Sequence, residues 1–272
     1  LMENIRFFKG EKDNASELSA MISNCFDVYV MDAFATAHRQ SASTYGAILE
    51  AKEACAGQLF SQEIKSLDSA LHNSENVLSI VGGSKVSTKL NVIKNLISNS
   101  SKVLVGGGIA NTFLKAAGHE VGISLVEDEM IDISRKLLDT NKIILPKNVY
   151  VANSTQDNSA ELVPVQEVNK NKMILDIELS EEVRNISNHK YIIWNGPLGI
   201  FEIEQFSNGT KQLINFLENS SSKVIAGGGE TIYAISKFSD IKKFNYVSTA
   251  GGAFLEYLSG YKLPSIEALR LK

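Results

Sequence analysis

The feature that most constrains this chain is a unit repeated along it: a short apolar, β-rich run, then glycines, then a helical period. Val77-Leu78-Ser79-Ile80-Val81 leads to Gly82-Gly83, and Val103-Leu104-Val105 leads to Gly106-Gly107-Gly108. Tyr191-Ile192-Ile193-Trp194 leads to Asn195-Gly196-Pro197, and Val224-Ile225-Ala226 to Gly227-Gly228-Gly229. Tyr246-Val247-Ser248-Thr249 leads to Ala250-Gly251-Gly252. Strands this uniformly apolar are buried on both faces, as in parallel sheets. Their alternation with helices predicts right-handed βαβ units in a doubly wound α/β fold. In such a sheet every strand-to-helix loop lies at the carboxyl edge, where open α/β sheets bind ligands. The five glycine clusters are therefore expected on one rim.

The chain is long enough, at 272 residues, for one large domain or two smaller ones, and its 44% hydrophobic and 21% charged residues are ordinary for a globular protein. A net charge of −4, with no basic stripe interleaved with aromatics, argues against a nucleic-acid partner. No apolar run is long enough to span a bilayer. Cys25 and Cys55 are isolated and form neither a disulfide framework nor metal-ligand spacing, so a reducing cytosol is the expected setting. His38, His72, His119 and His189 are scattered and give no ligand pair four apart.

Local patterns extend the expectation. Residues 14–24 read as a helix with Asn14 as N-cap and Leu18, Met21 and Ile22 on one face. Asp27 to Asp32 reads as a strand, and 59–72 as an amphipathic helix burying Leu59, Ile64, Leu67 and Leu71. Leu1 to Phe8 reads as the middle of a strand, as in part of a longer polypeptide. Residues 141–158 and 164–172 read as exposed connections.

Glycine between a strand and a helix lets backbone N–H groups approach phosphate oxygens, and the helix N-terminus adds favourable partial charge. A single cluster is equally well a tight turn; five on one rim point to a phosphate or nucleotide. Neither a GxxxxGK[ST] loop nor a GxGxxG dinucleotide fingerprint follows these strands. Lys85 and Lys89 stand four apart at the start of a predicted helix whose stripe is Leu90, Ile93 and Ile97. Cations there oppose the helix dipole by a few tenths of a kcal/mol unless an anion is close; the alternative is a solvated basic face. Glu202, after a turn-rich loop, can accept from ribose hydroxyls or be a surface acid. Glu230, at a predicted helix start after Gly227-Gly228-Gly229, can anchor Mg²⁺ or simply stabilise the dipole.

Taken together, Glu3-Asn4-Ile5-Arg6-Phe7, Asp32-Ala33-Phe34-Ala35-Thr36-Ala37-His38-Arg39, Gly82 to Lys89, Gly106 to Leu114, Trp194-Asn195-Gly196-Pro197, Phe201-Glu202, Gly227 to Thr231 and Ser248 to Ala253 resemble phosphoglycerate kinase, bacterial members most. The segments come in family order along the whole chain. The resemblance implies two Rossmann-like, doubly wound parallel-sheet domains joined by a hinge helix, the first of them truncated. Residues 1–58 would be the remnant of the phosphoglycerate-binding domain and 59–73 the hinge helix. Residues 74–258 would be the nucleotide-binding domain, and 259–272 would return towards the first.

The activity implied is reversible phosphoryl transfer from 1,3-bisphosphoglycerate to Mg·ADP, giving 3-phosphoglycerate and ATP in glycolysis, by a cytoplasmic and usually monomeric enzyme with neither nucleic-acid nor membrane partners. By resemblance, Arg6 and Arg39 bind the glycerate phosphates; arginine's planar fork suits phosphate. Lys85 follows the transferring phosphoryl group, Lys89 sits on the nucleotide phosphates, and Gly251 and Gly252 present N–H groups to the transferring group. Gly83, Gly107 and Gly108 line an adenine slot near Asn195 and Pro197, and Glu202 holds the ribose. Gly227, Gly228, Gly229 and Thr231 contact phosphate, and Glu230 takes the place of the family's Mg²⁺-binding aspartate.

Two departures matter. The family's Asp and Asn for the glycerate have no counterpart in the segments present, which predicts a chain that binds nucleotide without turning over. Ala250 stands where glycine is usual, a costly methyl if that residue needs positive φ. A nicotinamide- or flavin-dependent Rossmann enzyme is disfavoured by the missing GxGxxG. A non-catalytic nucleotide-binding protein on the same scaffold is the other alternative.

Overall fold

The computed structural model describes residues 1–71, 73–181, 183 and 189–272; His72 lies outside the described residues. In chain order the elements begin with helix α1 (Ser16–Ser23), strand β1 (Val28–Met31), α2 (Ala47–Glu50), β2 (Glu53–Ala56) and α3 (Gln58–Leu71). Then come β3 (Val77–Val81), α4 (Val86–Asn99), β4 (Lys102–Val105), α5 (Gly107–Ala116), α6 (Ile131–Leu138) and β5 (Ile143–Ile144). Strands β6 (Asn148–Ala152), β7 (Glu161–Pro164), β8 (Met173–Ile177) and β9 (Tyr191–Asn195) follow, with α7 (Asn208–Glu218) and β10 (Lys223–Gly227). The chain closes with α8 (Gly229–Phe238), β11 (Tyr246–Ser248), α9 (Gly251–Leu258) and α10 (Pro264–Arg270).

The chain divides into two compact units, residues 1–68 with 249–272, and residues 69–248. The boundary falls inside α3. In the first unit β1 and β2 pair in parallel, Val28 opposite Glu53. Phe34 is fully buried, with Phe60 and Tyr257 edge-on at ring distances of 5.5 and 6.3 Å. Asp32 accepts the Phe60 N–H at 2.8 Å, which ties the start of α3 to the end of β1.

The second unit carries a six-stranded sheet in the order β11-β10-β9-β3-β4-β5, every neighbouring pair parallel. Strands β3 and β9 are buried at all five positions, as their unbroken apolar runs predict. At roughly 25 cal/mol per Å² of apolar surface removed from water, this two-sided burial is the main term holding the unit together. A second sheet, β7-β6-β8, is antiparallel.

Several local expectations are corrected. Leu1 to Phe8 is not a strand. Asn4 accepts the Arg6 N–H at 3.0 Å, and the Phe7 and Phe8 N–H groups bond back to Asn4 and Ile5, winding a 3₁₀ turn over Ile5–Phe7; no described strand pairs with it. Asn14 does not cap α1: it sits at φ 53, where Asn is tolerated, and Ala15 takes the cap position. Met21 on α1 is 58% exposed; on α3 Leu67 is buried as expected, but Leu59 is 50% exposed and Phe60 and Ala70 are buried in its place. The 141–158 stretch holds β5 and β6, and Val165 and Val168 in 164–172 are buried. The alternation Asn148-Val149-Tyr150-Val151 is a two-residue period, the pattern of a half-buried strand.

Candidate functional site

Four glycine clusters sit at the carboxyl ends of β3, β4, β9 and β10 in the second unit. A cavity of about 360 Å³ opens at this rim, a size typical of small-molecule sites. Gly83, Ser84, Gly107, Gly108, Pro197, Glu202 and Glu230 line it, with Leu125, Met173, Leu198 and Ile200 as apolar walls. Among the residues expected at a nucleotide, Gly83, Gly107, Gly108, Pro197, Glu202 and Glu230 thus converge.

Two of these loops depend on glycine. Gly107 has φ 62, and a Cβ there would lie 2.7 Å from the Gly83 carbonyl oxygen. Gly228, at φ 99, caps α8; a Cβ there would lie 2.6 Å from Asn195 Nδ2.

Lys85, Lys89, Asn195, Gly227, Gly228, Gly229 and Thr231 are not among the residues that line the cavity. Lys89 Nζ donates to the Gly82 carbonyl at 2.7 Å and lies 3.5 Å from that of Asn195. Burial lowers its ammonium to about 8, with the Glu230 carboxylate pulling the other way. Asn195 is buried and donates from Nδ2 to Gly227 O at 2.8 Å. Thr231, fully buried, accepts the Gly196 N–H on Oγ1 at 2.8 Å, and Trp194 Nε1 donates to Gly196 O at 2.8 Å. The Asn195-Gly196-Pro197 turn is therefore stitched to β10 and α8. Gly227 ends β10 and Gly229 opens α8, whose first turn carries Glu230. Lys85 is exposed at the N-cap of α4 and lies outside the cavity lining.

The remaining expected residues belong to the first unit. Arg6 is exposed in the Ile5–Phe7 turn. Arg39 is half-buried, and its carbonyl accepts from Thr44 Oγ1 at 2.6 Å. Gly251 and Gly252 open α9, and a Cβ on Gly252 would meet the His38 ring at 3.3 Å. Ala250 has φ −96, so its methyl group causes no left-handed strain and that concern falls away.

Three buried residues here escaped the sequence reading. Asn111, 3% exposed, lines the cavity from α5, its Nδ2 3.4 Å from the carbonyls of Leu125 and Ile174. Asp176, 1% exposed, lines the cavity from β8 and accepts the Gly209 N–H at 2.8 Å. Burial pushes its carboxyl up to about 7, against N–H bonds from Gly209, Ile177 and Asn208. Glu127 accepts the Ser87 N–H at 3.0 Å at the start of α4. An anion therefore already stands beside Lys85, and it is the protein's own. Asn111 lay inside a recognised motif and Asp176 in the segment Asp176-Ile177-Glu178, where Glu178 is a mild departure from the family's pattern; Glu127 carried no local signal.

Among the described residues no group of three His, Cys, Asp or Glu side chains could hold a metal ion. Glu202 and Glu230 both line the cavity with exposed carboxylates, and Glu230 is the one whose charge acts on Lys89. Mg²⁺ commonly binds through one or two carboxylates plus phosphates and water, so Glu230 fits a Mg²⁺ that arrives with a nucleotide.

Parallel strands, glycine loops at their carboxyl ends and a cavity at that rim define an α/β protein of the doubly wound class. A family model described as phosphoglycerate kinase matches residues 1–261, and the chain belongs to that family. The phosphoglycerate kinase of Psychrobacter sp. (strain PRwf-1) is 46% identical over 288 residues, covering 99% of this chain and 72% of that protein. That of Francisella philomiragia is 47% identical over 283 residues, with 100% and 72% covered. Among solved structures, Coxiella burnetii phosphoglycerate kinase matches with TM-score 0.93 at 42% identity, covering 98% of this chain and 72% of that one. The Pyrococcus horikoshii OT3 enzyme matches with TM-score 0.82 at 29% identity. Among the described residues no helix is long and apolar enough to cross a membrane.

Proposed function

We propose that the second unit binds Mg·ADP or Mg·ATP at this cavity, as the nucleotide half of a glycolytic phosphoglycerate kinase working as a cytosolic monomer. The observation that carries the reading is Lys89: an ammonium drawn out of water, tethered to two carbonyls, beside a glycine-lined cavity with Glu230 at its mouth. The apolar walls suit a base, Glu202 the ribose, and the Gly227 to Thr231 turn the phosphates, since a helix N-terminus favours anions. Glu230 would hold the nucleotide's Mg²⁺, which supplies charge neutralisation.

In the reaction proposed, the bond between phosphorus and the carboxyl oxygen of 1,3-bisphosphoglycerate breaks. A bond from phosphorus to a β-phosphate oxygen of ADP forms, and 3-phosphoglycerate leaves as its carboxylate. Such transfers need positioning and neutralisation of the equatorial oxygens more than covalent help. Lys85, Arg39 and the N–H groups of Gly251 and Gly252 are assigned to that task, and Arg6 and Arg39 to the glycerate phosphates.

Calorimetric titration with ADP, with and without Mg²⁺, tests the reading. Saturable binding that Mg²⁺ alters, and that Lys89→Met weakens, is expected. No binding by a chain shown to be folded overturns it. A phosphoryl-transfer assay on the same 272 residues is expected to show binding without turnover. Transfer proportional to enzyme concentration would overturn that expectation and the non-catalytic alternative together.

A further inference from the structure

We propose that Glu127 is a positioning residue for Lys85, capping α4 from outside the helix and so fixing the turn that carries the lysine to its phosphate. The proposal rests on the nucleotide reading of the cavity and adds a residue to it. Helix α4 supplies no side-chain cap of its own, because Lys85 occupies the N-cap position. Its free N–H groups must find another acceptor. Glu127, 7% exposed in the loop between α5 and α6, provides it. Its carboxylate takes the Ser87 N–H at 3.0 Å, the Ser87 hydroxyl and the Val86 N–H. Burial raises this carboxyl, but the bonds from Ser87 and Val86 and the charge of Lys85 outweigh it and hold the group below the usual carboxylate range.

Glu127 is itself held from the cavity side. Its N–H donates to Thr112 Oγ1 at 3.2 Å, and that hydroxyl donates to the Gly108 carbonyl at 3.2 Å. Gly108 lines the cavity, and the next N–H, that of Ile109, bonds the Gly83 carbonyl at 3.1 Å. A chain of hydrogen bonds thus runs from the cavity wall through Thr112 and Glu127 to Val86 and Ser87, the two residues that follow Lys85. Removing the carboxylate frees the first turn of α4 while leaving the apolar walls intact. Phosphate contact should therefore suffer and base contact should not.

The test is calorimetry on the 272-residue chain with Mg·ATP and with adenosine as probes. Glu127→Ala is expected to weaken Mg·ATP roughly tenfold and adenosine less than about twofold, and the double variant with Lys85→Ala to lose no more than Lys85→Ala alone, as residues acting through one another are non-additive. Glu127→Gln, which keeps an acceptor for the Ser87 N–H, is expected to recover most of the affinity. It also serves if the alanine variant does not fold. Equal loss with both probes, or losses that add in the double variant, overturns the proposal. A folded wild type that binds neither probe overturns the nucleotide reading first, before any variant is compared.

Discussion

Lys89 holds its charge in a place that disfavours it. An ammonium brought down to about 8 by burial is protonated at pH 7 and mostly neutral by pH 9. Phosphate binds the charged form, so ADP affinity is expected to fall roughly tenfold between those pH values; a Lys89→Met variant should show weak affinity and a flat profile, and a flat wild-type profile would contradict the assignment. Asp176 runs the other way. Burial pushes its carboxyl from an ordinary 3.8 up to about 7, so the folded state keeps a proton that the unfolded chain has released between those values. Stability is therefore expected to fall as pH rises from about 4 to 7, by on the order of 4 kcal/mol at 1.4 kcal/mol per unit, and then to level off. Asp176→Asn should remove most of that slope in thermal melts taken across the range. A variant whose slope matches the wild type would show the carboxyl ionised at ordinary pH.

At the scale of elements, the glycine rim depends on β9, which pairs with β3 on one side and β10 on the other. It delivers Asn195 and the Gly196-Pro197 turn to the cavity. Ile193 at its middle is fully buried. Ile193→Ala is expected to cost about 3 kcal/mol by loss of contacts and the cavity left behind, read from urea unfolding. A loss below about 1 kcal/mol would mean the site collapses easily and the strand is less rigid than its burial implies. Helix α4 shows a different economy. Its first-turn N–H groups are satisfied by Glu127, forty residues on, so the cap position is free to hold a lysine.

For the molecule as a whole, the division into residues 1–68 with 249–272 and residues 69–248 separates the assigned residues into two sets. Every cavity-lining residue belongs to the second unit. Hydrogen exchange with saturating Mg·ADP is accordingly expected to slow in the loops after β3, β4, β9 and β10, and to leave β1, β2 and α1 unchanged. Protection centred on the first unit instead would place the nucleotide elsewhere. With a net charge of −4, the chain does not gather anions by its overall field. The affinity is expected to depend on salt only modestly, as for a few partly buried cations.

What the sequence alone determined is the parallel core and its rim. Apolar runs such as Val77 to Val81 admit only two-sided burial, and glycine at their ends marks close backbone approach; both signals are local, so they survive without coordinates. The positions of Leu1 to Phe8, Asn14 and Leu59 were misread because short segments are decided by partners they do or do not find. Only the tertiary structure decided that Asp176 lines the cavity and that Glu127 caps α4. Each is an unremarkable acid in the sequence, and each gains its role from N–H groups forty and thirty-three residues away. It also decided that Lys85 stands beside a carboxylate while Lys89 lies on carbonyls. Four residues of sequence look alike until burial draws one lysine out of water and leaves the other in it.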